Sequence, residues 1–365
     1  MKGMSKVLLF VLGWGAASFA VVDGPAGDGL VFRGASDASA GVAISSDMVV
    51  VADDENNVLR VYEVGEGGMP VFSYDLTAFL GIDPEYPEAD IEGATMIGSR
   101  IYWITSHGRN RDGKMRPNRY RFFATVVHIA YGNVAMRRVG SPSTTLVHEL
   151  LKIPSARRLG LDRATRFGED LKKKEREKLA PKENGLNIEA LCGSPDGETI
   201  YIGFRNPGVG TRSRAIVVPL LNADRIVEWG EASVFGEPLL WDLGGLGIRS
   251  MEYSRSHGAY FIIAGSSDED DEFALYRWSG QPNTPPVLVQ ELSSDGAKFK
   301  PEAMVPFEDG RLLMLSDDGS LPIMVSGPDD CLEGEYRDDG TCLNKYLRNP
   351  EKKTFRGIWL ELPGP

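Results

Sequence analysis

The sequence predicts an all-β fold built from several copies of one four-stranded unit, and three observations support this. Short runs of aromatic and β-branched residues recur along the 365-residue chain, and a polar turn follows each run. Glycine and proline are frequent, with 42 and 22 residues, which suits short strands joined by tight turns. An acidic residue also recurs ahead of the hydrophobic runs, at the same place in each copy.

Four copies share one pattern, in which a glutamate among small or apolar residues precedes a hydrophobic strand and a polar turn. The four glutamates are spaced 97, 63 and 50 residues apart: Glu92, Glu189, Glu252 and Glu302. Their strands are predicted over residues 101–104, 200–203, 260–263 and 312–315. In a variant first copy, Asp37 replaces the glutamate and residues 48–52 form the strand. The shortest spacing matches one blade of a β-propeller, for which periods of about 40–50 residues are usual.

We therefore expect one all-β domain, a β-propeller of five or six blades over residues 21–365. A further strand is expected in each copy, and in the last copy it is predicted over residues 321–325. The C-terminal strand Thr354–Leu362 is expected to complete a blade with Gly29–Arg33. This pairing would close the ring and remove its free edges.

An insertion over residues 150–184 interrupts the repeat. Its central part is highly charged and has no proline between Pro154 and Pro181. The pattern predicts a surface helix or a pair of helices. Such a helix would be either a solvated element on a loop or a lid over the channel mouth.

The first twenty residues predict an export signal. Lys2 and Lys6 precede an uncharged stretch from Val7 to Ala20, and Ser18-Phe19-Ala20 offers small residues for signal peptidase. The stretch is short for a membrane span, which needs about 20 apolar residues. A buried strand and an uncleaved anchor are the alternatives. We expect the protein in the periplasm or outside the cell, with no transmembrane segment after signal removal.

Cysteine usage fits export. Cys331 and Cys342 flank a polar, glycine-bearing loop, and a disulfide closing residues 331–342 would stabilise it by about 3 kcal/mol in the chain-entropy model. Cys192 has apolar neighbours and is predicted to be a buried free thiol. Three cysteines and four histidines suggest no zinc-type cluster.

The charge of the chain bears on its partners. The net charge is −12 and the isoelectric point is near 5.0. Nucleic acid and anionic membranes both need a basic surface, so neither is expected as the main partner.

The repeated acids should meet at one face of the propeller, because the first strand of every blade begins at the channel mouth. We therefore predict a metal site in a ring of five carboxylates: Asp37, Glu92, Glu189, Glu252 and Glu302. Two like charges about 4 Å apart repel by about 4 kcal/mol at the effective dielectric of a protein surface. Such a ring must bind a cation, accept hydrogen bonds or hold protons. Calcium, with six to eight oxygen ligands, is the simplest cation, and the acidic turns at 53–56 and 317–318 add candidate ligands. In the structural alternative, the acids only lock neighbouring blades together.

Basic and polar residues in the adjoining turns form a predicted collar around this ring. The candidate ligand-binding residues are Arg109, Arg111, Arg205, Asn206, Arg249 and Lys300. Arginine recognises phosphate and carboxylate through paired hydrogen bonds, but these arginines could equally neutralise the ring glutamates. His107 is the candidate for proton transfer, with a plain hydrogen-bonding role as the alternative. The sequence has no Gly-x-Ser-x-Gly elbow and no P-loop, so nucleophilic serine or cysteine catalysis is not expected.

Longer motifs carry a family resemblance. The runs at 90–94, 102–110 and 116–125, together with 185–191 and 203–207, resemble the bacterial domain-of-unknown-function family 3616. This similarity extends over nearly the whole mature chain and implies a propeller-like, mostly secreted protein of unsettled function. The run Asp90-Ile91-Glu92-Gly93 is more distantly similar to phytase-like esterase propellers, in which calcium at the channel helps bind and hydrolyse phosphate esters. The later copies depart from that pattern because their glutamates lack the following glycine.

These features leave three functional hypotheses. In the first, calcium neutralises a substrate phosphate and activates water, while Arg109, Arg111 and Arg205 stabilise the transition state. In the second, the protein is a non-enzymatic propeller that binds a small anionic ligand or a partner protein at the same rim. In the third, the propeller is a scaffold whose ring acids are satisfied by backbone and arginine.

Overall fold

The structure of the protein is a computed structural model that describes residues 29–181, 184–267, 272–292, 299–360 and 362. The predicted export signal at residues 1–20 lies outside these described residues. Within these ranges, no helix has the length and apolar character needed to cross a membrane.

Five antiparallel four-stranded sheets form the blades of a propeller. Strand β1 (Leu30–Arg33) belongs to the last blade. The first blade contains β2 (Ala40–Ala43), β3 (Met48–Ala52), β4 (Val58–Glu63) and β5 (Phe72–Asp75). The second contains β6 (Ile91–Ile97), β7 (Arg100–Thr105), β8 (Phe122–Ala130) and β9 (Asn133–Ser143). The third contains β10 (Asn187–Gly193), β11 (Ile200–Asn206), β12 (Ala215–Leu220) and β13 (Leu239–Trp241). The fourth contains β14 (Gly247–Ser254), β15 (Ala259–Gly265), β16 (Phe273–Trp278) and β17 (Val287–Leu292).

The fifth blade closes the ring. It contains β18 (Pro301–Pro306) and β19 (Leu312–Ser316), followed by the C-terminal β22 (Thr354–Leu360) and the N-terminal β1. Leu30 pairs with Gly357, and Leu313 pairs with Trp359. The predicted closure is confirmed, and the blade count is five.

One predicted strand lies elsewhere. The segment expected over 321–325 forms β20 (Pro322–Met324), which pairs with β21 (Thr341–Leu343) in a hairpin outside the blades. Its assignment to the fifth blade was wrong, because β22 already pairs with β19 at the third position of that blade.

The first strands of successive blades contact one another in a closed cycle, β2 to β6, β10, β14, β18 and back to β2. They therefore surround a central channel. A separate hydrophobic core lies between each pair of neighbouring blades. At the closure, Phe32 of β1, Tyr62 of β4 and Phe355 of β22 are fully buried, with ring centroids 4.9–5.3 Å apart. Burying one such ring stabilises the fold by roughly 1.5–3 kcal/mol.

In the described part of the chain, six short α-helices decorate the blades: α1 (Thr77–Leu80), α2 (Leu146–Leu150), α3 (Pro154–Arg158), α4 (Leu161–Thr165), α5 (Lys173–Glu177) and α6 (Ala223–Trp229). The insertion expected as one helix or a pair thus holds three helices, α3 to α5, and α2 precedes it. Gly160 and Arg166 adopt left-handed backbone angles, with φ of 86° and 45°, and they separate the helices. Leu161 and Ala164 pack into the core between the second and third blades, so one side of the insertion is buried.

The cysteines occupy two environments. Cys192 is a buried free thiol, as predicted. Cys331 and Cys342 are buried beside Leu347 in a small core of their own, and both are free thiols in the structure. Burial and the neighbouring Cys331 thiol raise the pKa of Cys342 to about 12. The two thiols lie side by side, and the disulfide between them stays a prediction.

Candidate functional site

A β-bulge near the start of the first strand sets the channel mouth in four blades. The unpaired residue of the bulge is Glu92 in β6, Glu189 in β10 and Glu302 in β18. In β14 the same place is taken by Arg249. Because a bulge re-aims the side chain of its extra residue, these four side chains form the ring at the mouth. In the first blade, β2 begins at Ala40 and pairs with β3 without a register shift.

The predicted equivalence of Glu252 to the other ring acids was therefore wrong. Glu252 pairs with Phe261 and lies three residues beyond the bulge of β14. It lines the channel away from the ring, and burial raises the pKa of its carboxyl group well above the usual range.

The channel itself is narrow. Its lining comes from the inner strands of all five blades and includes Ser39, Glu92, Glu189, Ser250 and Glu252. The cavity in it measures about 10 Å³, which is about the room that one water molecule needs. Pockets for drug-sized ligands measure about 300–1,000 Å³. The channel suits ions and water, so a larger ligand would have to sit at the mouth.

One half of the mouth is neutralised by arginine. Arg249 Nη1 lies 2.6 Å from Glu302 Oε1 and 3.3 Å from Glu189 Oε2. Arg205 Nη1 lies 2.9 Å from Glu189 Oε1. Both arginines are buried. Their positions agree with the alternative to ligand binding, in which these arginines neutralise the charges of the ring glutamates. Burial still raises the pKa of Glu302 to about 7, although the charge of Arg249 opposes this shift.

The other half of the mouth has an excess of carboxylates. Asp54, Asp90 and Glu92 each place one oxygen within 4.8 Å of the other two. Asp90 is compensated by Arg119, whose Nη1 lies 2.8 Å from Asp90 Oδ2. Within the described part of the chain, neither Asp54 nor Glu92 forms an ion pair with a lysine or arginine. Asp54 Oδ1 is buried and has no hydrogen-bond partner among the described residues.

Electrostatics follow from this excess. Burial is the main cause that raises the pKa of Asp54 and of Glu92 well above the usual range, and neighbouring carboxylates add to it. Asp37 lies beside Asp317 at the same end of the channel. Burial and then the charge of Asp317 raise the pKa of Asp37 in the same direction. This half therefore either holds protons or attracts a cation.

Local turn chemistry places the acids. Asp53 accepts hydrogen bonds from the backbone N–H groups of Ser36 (3.0 Å) and Glu55 (2.9 Å), which fixes the turn that presents Asp54. Asp90 has a φ of 63°, a left-handed angle that aspartate tolerates better than most residues. Its carbonyl oxygen accepts a hydrogen bond from the Ser106 N–H at 2.9 Å.

His107 is not placed for proton exchange with solvent. It is fully buried, its Nδ1 lies 2.8 Å from the Thr105 carbonyl oxygen, and its ring packs edge-on against Tyr120. Burial lowers the pKa of His107 to about 4, so the imidazole is neutral near pH 7.

The other collar residues serve different ends. Arg109 donates to the carbonyl oxygens of Gly113 (3.0 Å) and Thr165 (2.8 Å), and so ties its turn to α4. Asn206 donates to the Pro181 carbonyl oxygen at the end of the insertion. Arg111 is exposed, and Lys300 is half-buried beside the fifth blade. The predicted collar is therefore largely a set of structural contacts.

Fold and site together define a five-bladed β-propeller with an acidic channel mouth. Residues 160–311 match the model of a family described as "Protein of unknown function (DUF3616)". The resemblance to this family is thus confirmed over that part of the chain. The more distant resemblance to phytase-like esterases is not confirmed.

Several solved structures are distantly similar to this chain. One is a putative oxidoreductase (glucose dehydrogenase) from Thermus thermophilus, at 12% identity and a TM-score of 0.38, covering 91% of this chain and 100% of that chain. Another is the PQQ-bound aldose sugar dehydrogenase from Streptomyces coelicolor, at 10% identity and a TM-score of 0.38, covering 91% and 99%. A third is the glutaminyl cyclase of Myxococcus xanthus, at 11% identity and a TM-score of 0.38, covering 91% and 95%. No curated protein matches the chain. Similarity at this level carries no argument about function.

Proposed function

We propose that this protein is an exported, non-enzymatic propeller that binds a calcium ion at the channel mouth and uses it to hold an anionic ligand. The ligands we assign to the cation are carboxylate oxygens of Asp54, Asp90 and Glu92. Export rests on the signal predicted at residues 1–20.

The observation that carries the proposal is the unequal charge of the two halves of the mouth. Glu189 and Glu302 have an internal cation in Arg249, while Asp54 and Glu92 have none among the described residues. A hard dication bound by oxygen ligands would supply the missing charge and give the buried Asp54 Oδ1 a partner. Binding would also release the protons that these acids hold in its absence.

Binding is favoured over phosphoester hydrolysis because of the groups beside the site. His107 is buried and neutral, and Arg109 and Arg205 already form hydrogen bonds or ion pairs with other residues of this chain. A hydrolase would need one of them for proton transfer or for stabilising charge on the substrate. The exposed Arg111 is then a candidate contact for the ligand.

The test is calcium titration calorimetry at pH 7.5 after removal of divalent ions with EDTA. We expect wild-type protein to bind calcium, and the Asp54→Asn, Glu92→Gln double variant to bind it about tenfold more weakly or less, since two of three carboxylates are gone. The matched control is Asp196→Asn with Glu198→Gln, which removes the same charge from an exposed turn between β10 and β11.

A second readout separates a lost site from a damaged fold. In EDTA the double variant should melt at a higher temperature than wild type, because two acids whose ionised forms repel each other have been replaced by neutral side chains. In excess calcium this order should reverse. Equal calcium affinity in the site and control variants, or no binding by wild type, would show that the mouth is not a cation site.

A further inference from the structure

A strongly basic surface lies beside the acidic mouth of this acidic protein. Residues 109–116 and 146–181 together contain fourteen lysines and arginines and seven aspartates and glutamates, although the whole chain has a net charge of −12. Seven exposed or half-buried members lie in the 109–116 turn and in or next to α5, and we call these seven the basic strip: Arg111, Lys114, Lys172, Lys173, Lys174, Arg176 and Lys178.

Direct contacts hold the two parts of the basic strip together. Arg109 donates to the Thr165 carbonyl oxygen, which joins the 109–116 turn to α4. Arg176 Nε donates to the Asp112 carbonyl oxygen at 3.4 Å. Gly113, with a φ of 70°, lies so close that an added Cβ would be 1.8 Å from the Arg176 carbonyl oxygen. The turn and α5 therefore form one surface.

The basic strip has more charge than its own acids neutralise. The ion pairs on this surface are Lys173–Glu177 at 3.6 Å, Arg166–Glu169 at 2.6 Å and Arg166–Glu175 at 3.8 Å. Such exposed pairs contribute little to stability, so these side chains remain available to another anion. Lys172, Lys174 and Lys178 form no ion pair with a described residue.

We propose that the basic strip binds a carboxylated polysaccharide chain. Anionic bilayers and duplex nucleic acid fit poorly, because the acidic mouth adjoins the strip. The charged plane of a bilayer would face Asp54 and Glu92 as well as the lysines. Duplex DNA would also bring negative charge close to these acids, because it carries one charge per about 1.7 Å of its length. A single chain with sparser charges can follow the lysines and avoid the acids.

The same chain could reach the cation, and in this respect the inference deepens the proposed function by naming the ligand class. Arg119 contacts both regions, since its Nη1 lies 3.5 Å from the Arg109 carbonyl oxygen and 2.8 Å from Asp90 Oδ2. One carboxylate of the polysaccharide would bind the calcium at the mouth, while its neighbours contact the basic strip.

The experiment measures binding of polygalacturonate at low salt, with EDTA or with calcium. The strip variant combines Lys172→Glu, Lys173→Glu and Lys174→Glu. The control combines Arg212→Glu, Arg214→Glu and Arg255→Glu, which makes the same charge change at exposed residues outside the strip. In EDTA we expect wild type and control to bind, and the strip variant to lose about tenfold or more in affinity, with all binding weakened by 0.5 M salt.

The arms separate the two proposals. The Asp54→Asn, Glu92→Gln variant should bind in EDTA at least as strongly as wild type, because two charges that repel the polyanion are gone, and it should lose the gain produced by calcium. If that gain is missing in wild type while the EDTA binding depends on the strip, the cation proposal fails and the strip stands. Equal binding by strip and control variants overturns the strip proposal. So does binding to phosphatidylglycerol vesicles or duplex DNA without binding to polygalacturonate, or to neutral dextran as strongly as to polygalacturonate.

Discussion

Replacing Arg249 by methionine tests the electrostatic account of the channel mouth most directly. The guanidinium contacts Glu302 at 2.6 Å and Glu189 at 3.3 Å, and it donates to the Ser266 carbonyl oxygen at 3.2 Å. Methionine fills much of the same volume but leaves both carboxylates without this cation. Removing one partner of a buried ion pair costs about 3–5 kcal/mol. Because the unfolding entropy is about 2.1 cal/mol/K per residue, each kcal/mol shifts the melting temperature of a chain of this length by about 1.3 °C, and the melting temperature should fall by about 4–7 °C.

The loss should depend on pH with a definite sign. Without Arg249, the folded-state pKa of Glu302 rises further above its unfolded value, because the charge that favours the ionised form is gone. The contribution of Glu302 to stability is then full at low pH and is lost as the pH rises through the folded-state pKa. The difference in unfolding free energy between wild type and variant should be largest at pH 8 and smallest near pH 4.5.

Urea unfolding at pH 4.5, 6 and 8 measures this difference, and adding Glu302→Gln to the variant should restore about half of the loss at pH 8. The control is Arg212→Met, which breaks an exposed ion pair with Asp242 and should cost less than about 1 kcal/mol. A loss below about 1 kcal/mol at pH 8 for Arg249→Met, or one that does not change with pH, would refute the reasoning.

Two further predictions follow from the described geometry. In EDTA the melting temperature of wild type should fall from pH 5 to pH 8, because burial raises the pKa of Glu88 to about 8 and that of Glu302 to about 7; calcium should reduce this fall, and a melting temperature that rises with pH in EDTA contradicts the account. Protein isolated without reductant and denatured should show one reactive thiol, that of Cys192, whereas three thiols would show that Cys331 and Cys342 do not form a disulfide.

Much of the fold could be predicted from the sequence because each blade repeats the same pattern of apolar strands and polar turns. The inner strands are apolar and end in polar turns, so their number and order follow from hydrophobic pattern and turn residues. The closing strand was predictable because a propeller needs a partner for its last blade. The strand at 321–325 was assigned to the wrong sheet because a short apolar run does not show which sheet it joins. In the structure this segment pairs within the hairpin β20–β21, outside the blades.

The site was less predictable, for a reason that lies in the bulges. A repeat of acidic residues selects Glu252, but the register of β14 places Arg249 at the ring instead. A bulge inserts one residue without a clear mark in the sequence, so the face of each side chain is known only from the pairing. The division into a neutralised and an acidic half depends on contacts between residues far apart in the chain, such as Arg249 with Glu302. The motif Asp90-Ile91-Glu92 and the acidic turn at Asp54 could be recognised in the sequence, but the sequence did not show that their carboxylates lie next to each other.

The closing blade has a consequence for how the chain acquires its structure. Its outer strand β1 lies near the start of the described chain, and its partner β22 lies near the end, with Leu30 opposite Gly357. Pairing residues so distant in sequence is entropically costly and slow to nucleate. A growing polypeptide can complete four blades while β1 is still unpaired. Until β22 is synthesised, the edge of β1 and the face of Phe32 stay open to other chains, so this is the stage at which we expect misassembly between copies.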